Sequence, residues 1–310
     1  MGSRVFGRTS FYTAFFLKVI ADRSIVWIMR MEAILSSARV AVSLAFLAYA
    51  SWSDLKTREV SNTVWVAFAP TAFLLTFSQF LLYPPIGGDA LQSIVFYGIC
   101  FAVTTVFSLV LFYAGAFGGA DAKALMCIAL AVPEATSLKP LTNLIFTHLE
   151  VSLPLSGYVS PVFPITIFSN GVIIAAASVL YALVRNLIWR QRAGARFFEG
   201  YADASFGRKA LTLLCGYKVA VSDLKKSFLY PLEDILATPS GATERHLLLF
   251  PKDEHREEIV ERLAKAEDEG AFEGEVWATP GLPMLIFITL GLIVALTFGD
   301  IVWMAISRAL

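Results

Sequence analysis

Residues 90–117 read Ala-Leu-Gln-Ser-Ile-Val-Phe-Tyr-Gly-Ile-Cys-Phe-Ala-Val-Thr-Thr-Val-Phe-Ser-Leu-Val-Leu-Phe-Tyr-Ala-Gly-Ala-Phe, a run without one charged side chain. A helix needs about 20 consecutive apolar residues to cross the hydrocarbon of a bilayer, and this run is longer than that. Outward from it, Asp89 is the only charged residue between Val60 and Ala120. Over the 310-residue chain, 57% of residues are hydrophobic and 16% charged, which is too apolar for an ordinary soluble domain. The formal net charge is zero, so charge balance points to neither nucleic acid nor an acidic partner.

Five further segments are long and apolar enough to cross, or nearly so: 33–52, 62–83, 121–132, 163–189 and 282–306. The segment 121–132 is short and ends near Pro133. The stretch 134–161 holds Pro and Gly and reads as a loop, with a membrane-surface piece near 141–146. From 190 to 276 the chain changes character and carries most of its charge. A short strand is expected near 247–250. A helix is expected over 257–269, with Ile259, Val260, Leu263 and Ala264 on its apolar face. The expected fold is therefore an all-α polytopic membrane protein with six transmembrane helices. A small soluble α+β domain (190–276) is inserted between helices five and six. The core spans 31–189, and 277–310 holds the final helix.

Cytoplasmic loops of membrane proteins carry an excess of Lys and Arg. If the amino end of the first core helix lies outside, the cytoplasmic side receives Lys56, Arg58, Lys123, Arg190, Arg192 and Arg196. The outer side then receives Lys139 and Arg308. Residues 1–30 do not fit this pattern, because Arg4, Arg8, Lys18, Arg23 and Arg30 would all lie outside. The apolar stretch 11–29 is interrupted by Lys18, Asp22 and Arg23, which suits neither a spanning helix nor a secretory signal. Residues 1–30 are expected to be an upstream extension that the core does not need.

Two aspartates follow apolar runs on the same expected side. Asp54 lies in Ser53-Asp54-Leu55-Lys56-Thr57-Arg58, and Asp121 in Gly118-Gly119-Ala120-Asp121-Ala122-Lys123. A carboxylate next to hydrocarbon is costly and usually has a partner or a task. Gly118 and Gly119 allow unusual backbone angles and close approach of another chain. Each motif alone also fits a plain structural role: a helix cap at Asp121, and a helical ion pair with Arg58 at Asp54. Two carboxylates at one depth can share a proton, which is aspartic-protease chemistry.

Taken together, Asp54-Leu-Lys-Thr-Arg-Glu-Val-Ser-Asn62 after a first helix and Gly118-Gly-Ala-Asp121-Ala-Lys123 resemble the type IV prepilin peptidases. These are membrane aspartic proteases named for a Gly-x-Gly-Asp motif. Ala120 stands where the strict motif has Gly, a departure familiar in the archaeal branch. Three further segments look like archaeal preflagellin (prearchaellin) peptidases: Gly216-Tyr217-Lys218-Val219, Tyr230-Pro231-Leu232-Glu233 and Trp277-Ala-Thr-Pro280-Gly-Leu-Pro283. The resemblance covers about 31 to the end. It implies that Asp54 and Asp121 are the catalytic dyad, supported by Gly118 and Gly119. One carboxylate takes a proton from water, and the other donates to the scissile carbonyl oxygen. It also implies no metal or organic cofactor. The implied substrates are archaellin- or pilin-like precursors, with a short basic leader followed by an apolar helix in the membrane lipid. Cleavage is expected at the cytoplasmic face of the cell membrane.

Two other classes share part of this pattern. A presenilin-like protease expects Tyr before its first aspartate and a later Pro-Ala-Leu, whereas Ser53 precedes Asp54 and no Pro-Ala-Leu occurs. An ion- or proton-coupled transporter expects inverted repeats and broken helices meeting near the midplane, and no repeat is visible. Cys100, Cys127 and Cys215 are scattered, as are His148, His246 and His255, so a zinc or disulfide framework is not expected. Asn170 is expected to link membrane helices, and Asp300 to sit at the interface away from the dyad.

Overall fold

The computed structural model describes residues 5–83, 90–135, 138, 160–194, 197–198, 201, 204–226, 229–237, 243–248, 256–272, 274–281 and 283–309. It is mostly helical, with a small sheet region toward the carboxyl end. The expected surface piece at 141–146 lies outside these residues, as do His148 and His255. The chain divides into two units: 1–173 with 283–310, and 174–282.

The first unit is built from α1 (Val5–Thr57), α2 (Asn62–Leu82), α3 (Ala90–Tyr113), α4 (Gly119–Ala131), the beginning of α5 (Phe163–Ala193), and, after the second unit, α9 (Met284–Phe298) and α10 (Ile301–Ala309). Among the described residues, four stretches are long and apolar enough to cross a membrane: Met31–Thr57, Asn62–Leu82, Ala90–Tyr113 and Phe163–Arg192. A fifth arises if α9 and α10 are taken as one broken span, bent by 54°. The sequence suggested one straight helix there. The break falls at Gly299, whose φ of 78° lies in the left-handed region that glycine enters without steric cost. Two buried side chains hold the bend. Asn170 donates from Nδ2 to the Gly299 carbonyl at 2.8 Å and accepts the Ile301 N–H at 3.0 Å, so it does link helices. Asp300 is buried rather than interfacial: it caps α10 through the Trp303 N–H and accepts the Thr166 and Ser169 hydroxyls.

The α4 helix has 13 residues, or about 20 Å of axis, and is shorter than a hydrocarbon core of about 30 Å. Its sides are covered by protein: Ala124, Leu125, Ile128 and Ala131 are fully buried against α1, α2 and α9 residues such as Leu47, Phe68 and Leu292. By contrast α3 leaves Leu91, Val95, Ile99, Val106 and Val110 exposed, as a lipid-facing helix does.

The second unit contains the end of α5, then α6 (Phe206–Cys215), β1 (Tyr217–Val219), α7 (Val221–Lys226), β2 (Leu229–Pro231), β3 (Glu233–Ala237), β4 (Thr243–Leu247), α8 (Arg256–Asp268) and β5 (Val276–Pro280). The α8 helix falls where expected, and Ile259, Val260, Leu263 and Ala264 are its buried face. Of the strand expected at 247–250, Leu247 is the last residue of β4, Leu248 follows outside it, and 249 and 250 lie outside the described residues. Strands β1, β5 and β2 form an antiparallel sheet with β5 central, and β3 pairs antiparallel with β4.

Beside the sheet lies a buried charge cluster. The Glu233 carboxylate, fully buried, accepts from Arg245, from the Tyr201 hydroxyl and from the Trp277 N–H. Removing one partner of such a group strands the others, which typically costs about 3–5 kcal/mol. Glu233→Ala is therefore expected to make this unit susceptible to proteolysis under conditions where the unchanged chain resists; equal resistance would contradict the account. Lys218 lies in the same cluster over the Tyr201 and Trp277 rings. Burial pushes its ammonium down from 10.5 to about 8, against the opposing pull of Glu233 and Glu275. Above pH 8 the unfolded chain still holds this proton while the folded one releases it, so the group makes stability rise with pH up to about 10. Lys218→Met should flatten that rise in urea midpoints measured across the window.

Candidate active site

Both predicted aspartates belong to the first unit, and both are half-buried. Asp54 sits in the last turn of α1, so it is part of the helix rather than beyond it. The helix stops at Arg58, whose φ of 57° is unusual for a non-glycine residue. The turn that follows is closed by two hydroxyls: Ser53 and Thr57 donate to the Glu59 carbonyl at 2.8 and 3.0 Å. Ser61 then caps α2 through the Thr63 N–H. A short closed turn like this holds Asn62 in a defined relation to Asp54.

Asp121 is the third residue of α4, and its Oδ2 accepts the Gly118 N–H at 3.0 Å. The helix-cap role is therefore real. Gly118 has φ −73° and Gly119 is not in the left-handed region, so neither uses backbone angles reserved for glycine. What Gly118 supplies is closeness: a Cβ there would lie 3.2 Å from Asp121 Oδ2. A Cβ at Gly119 would meet only Phe112 at 3.7 Å, ordinary contact.

The two motifs meet through a pair of side chains that sequence reading left unassigned. Lys123 Nζ donates to Asn62 Oδ1 at 2.7 Å, joining the start of α4 to the start of α2. That bond ties the turn that follows Asp54 to the helix start that carries Asp121. No hydrogen bond joins the two carboxylates among the described residues.

At the other end of α4 the chain places a second unpredicted group. Arg39 on α1 is fully buried. Its Nε donates to the Ala131 carbonyl at 2.7 Å and its Nη1 to Gln79 Oε1 at 2.8 Å. Thr76 also donates to Ala131, and Tyr97 to the Leu130 carbonyl. These donors satisfy carbonyls that a helix end leaves without intrahelical partners, and a cation there complements the helix dipole. Thus α4 is held at both ends, by Arg39 of α1 at its carboxyl end and by Asn62 of α2 at its start. A charged residue inside the apolar segment 33–52 is the signal that could have found Arg39.

Packed apolar helices, four of them among the described residues long enough to cross a membrane, followed by a small sheet unit, define a polytopic membrane protein. The chain belongs to the type IV leader peptidase family: that family's model matches residues 41–184, and the archaeal peptidase A24 C-terminus type II model matches 208–301. It is similar to preflagellin peptidases of three archaea. One from Methanococcus voltae is 27% identical, over 84% of this chain and 94% of the relative. One from Methanococcus maripaludis is 26% identical, over 82% and 92%. One from Methanocaldococcus jannaschii is 25% identical, over 82% and 91%. The protein is accordingly a membrane peptidase, and the transporter alternative is set aside.

Proposed function

We propose that this protein is a membrane aspartic endopeptidase that removes the short basic leader from archaellin- or type IV pilin-like precursors, with Asp54 and Asp121 as its dyad. The observation that carries this is the placement of Asp54 in the last turn of α1 and Asp121 in the first turn of α4, tied together by the Lys123–Asn62 bond. One carboxylate takes a proton from water as the water oxygen adds to the scissile carbonyl carbon. The other gives its proton to the carbonyl oxygen. Collapse of the tetrahedral intermediate returns a proton to the departing nitrogen and breaks the C–N bond. The names of the similar preflagellin peptidases support the substrate class.

The site faces the cytoplasm and the chain makes six passages. Asp54 and Asp121 share a face only if α2 and α3 go out and return, which requires α4 to lead outward again despite its length. The Lys and Arg count supports this orientation. Residues 190–276 then form a cytoplasmic domain, and 1–30 lie outside the catalytic core.

The test is cleavage of a prepilin-like precursor by the purified full chain in liposomes. The expected product begins just after the basic leader, and its formation is unaffected by EDTA. No cleavage would overturn the substrate class, and cleavage stopped by EDTA and restored by a metal would overturn the aspartic mechanism.

A further inference from the structure

The α6 helix has an apolar side that its own unit does not cover. Phe206 is 88% exposed, Leu211 48% and Leu214 38%. At 100° per residue these three, with Ala210, fall within one arc of about 140°. Thr212, outside this arc, is buried, while Leu213, about 20° from Phe206, packs against the Tyr201, Leu232 and Trp277 cluster. Arg208 and Lys209 lie at the two edges of the apolar arc, and α6 contains no acidic residue.

The carboxyl end of α6 is fixed to a membrane-length helix within the same unit. Asn186 of α5, buried, donates from Nδ2 to the Leu213 carbonyl at 3.1 Å and the Gly216 carbonyl at 2.8 Å. Just beyond, Tyr217 meets Tyr181 edge-on, and Arg185 lies over the Tyr217 ring at 3.9 Å. Tyr181, Arg185 and Asn186 all belong to the apolar stretch Phe163–Arg192. Asn186 is one turn, about 6 Å, short of Arg190, and Arg190 and Arg192 are the cations that end this apolar stretch, while Trp189 donates to Glu275 and Arg190 lies over the Phe197 ring.

We propose that α6 is an in-plane membrane helix. Phe206, Leu211 and Leu214 enter the boundary between headgroups and acyl chains, while Arg208 and Lys209 meet lipid phosphates. The occupant of this face is the bilayer surface itself. Water is a poor occupant for three large apolar side chains on a helix whose carboxyl end is fixed to a membrane-length one. A basic rim without acidic residues suits an anionic headgroup. The consequence is that the sheet unit is held against the bilayer by its own helix as well as by α5. This holds whatever reaction the first unit performs.

The experiment uses the full chain with Cys215→Ser and a single new cysteine, Leu211→Cys, carrying an environment-sensitive fluorophore. The chain is placed in liposomes of phosphatidylglycerol and phosphatidylcholine. Emission should shift to the blue, and nitroxides near the lipid headgroup should quench it more than nitroxides at the chain end, by about twofold for a shallow helix. A label at Glu261→Cys, on the exposed side of α8, should stay water-like and unquenched. Reversing Arg208 and Lys209 to Glu should reduce the quenching more in phosphatidylglycerol vesicles than in pure phosphatidylcholine. Water-like emission at 211 would overturn the proposal. So would a blue shift that lipid nitroxides leave unquenched, which would point to a protein partner or a second copy. If Leu211→Cys misfolds, Leu214→Cys gives the same readings.

Discussion

Asp54→Asn and Asp121→Asn are each expected to lower precursor cleavage by about a thousandfold or more, the usual scale for removing a proton-transferring group that acts as part of a unit. Asparagine has nearly the same shape but neither takes nor gives a proton at working pH. At position 121 its side-chain oxygen can still accept the Gly118 N–H that now goes to Oδ2, so the start of α4 keeps its cap. The loss should therefore come without unfolding, checked by thermal denaturation of the same samples. If the two carboxylates work together, the double variant should lose little more than either single one. Retained cleavage in either single variant would remove that residue from the dyad.

Gly291→Leu is expected to cost about 3 kcal/mol or more, the upper range for forcing side-chain volume into a packed core. A Cβ at 291 would lie 2.2 Å from the Ile167 carbonyl oxygen and 2.8 Å from the Gly171 nitrogen. Across the same crossing, a Cβ at 171 would lie 2.9 Å from the Phe287 carbonyl. These obstacles are backbone, so the helices α5 and α9 must separate. Small residues let membrane helices approach this closely, and the crossing is flanked by the fully buried Ile167, Ile288 and Leu292. The damage should reach the site, because Thr289 on α9 shares a 2.8 Å hydrogen bond with Ser51, one turn before Asp54. A lower unfolding temperature in detergent and reduced cleavage are both expected. Gly98→Ala is the control: nothing lies within 4 Å of its Cβ, and it should be neutral. Equal behaviour of the two variants would contradict the account.

The first, second, third and fifth apolar segments and the α8 helix were legible because each depends on local composition and period, which the chain carries residue by residue. The acidic motifs were legible for the same reason. Arg39 was overlooked although it stands in an apolar segment, because its partners Gln79 and Ala131 are 40 and 92 residues away. The break at Gly299 was hidden because glycine in a membrane helix is common, and only Asn170 and Asp300 from packed surroundings select the bent form. The three-stranded sheet depends on β5 joining strands more than 40 residues earlier, whereas β3 and β4 pair locally.

By itself, then, the sequence determined that this chain lives in a membrane, where its apolar helices run, and which two aspartates stand beside them. Hydropathy and motif are properties of neighbouring residues, and they survive without knowledge of contacts. Only the tertiary structure decided that Arg39 of α1 and Asn62 of α2 hold α4 at its two ends, and that Lys123 ties the turn after Asp54 to the helix start that carries Asp121. Those are pair interactions between distant residues, and they exist only once burial and packing have brought the helices together.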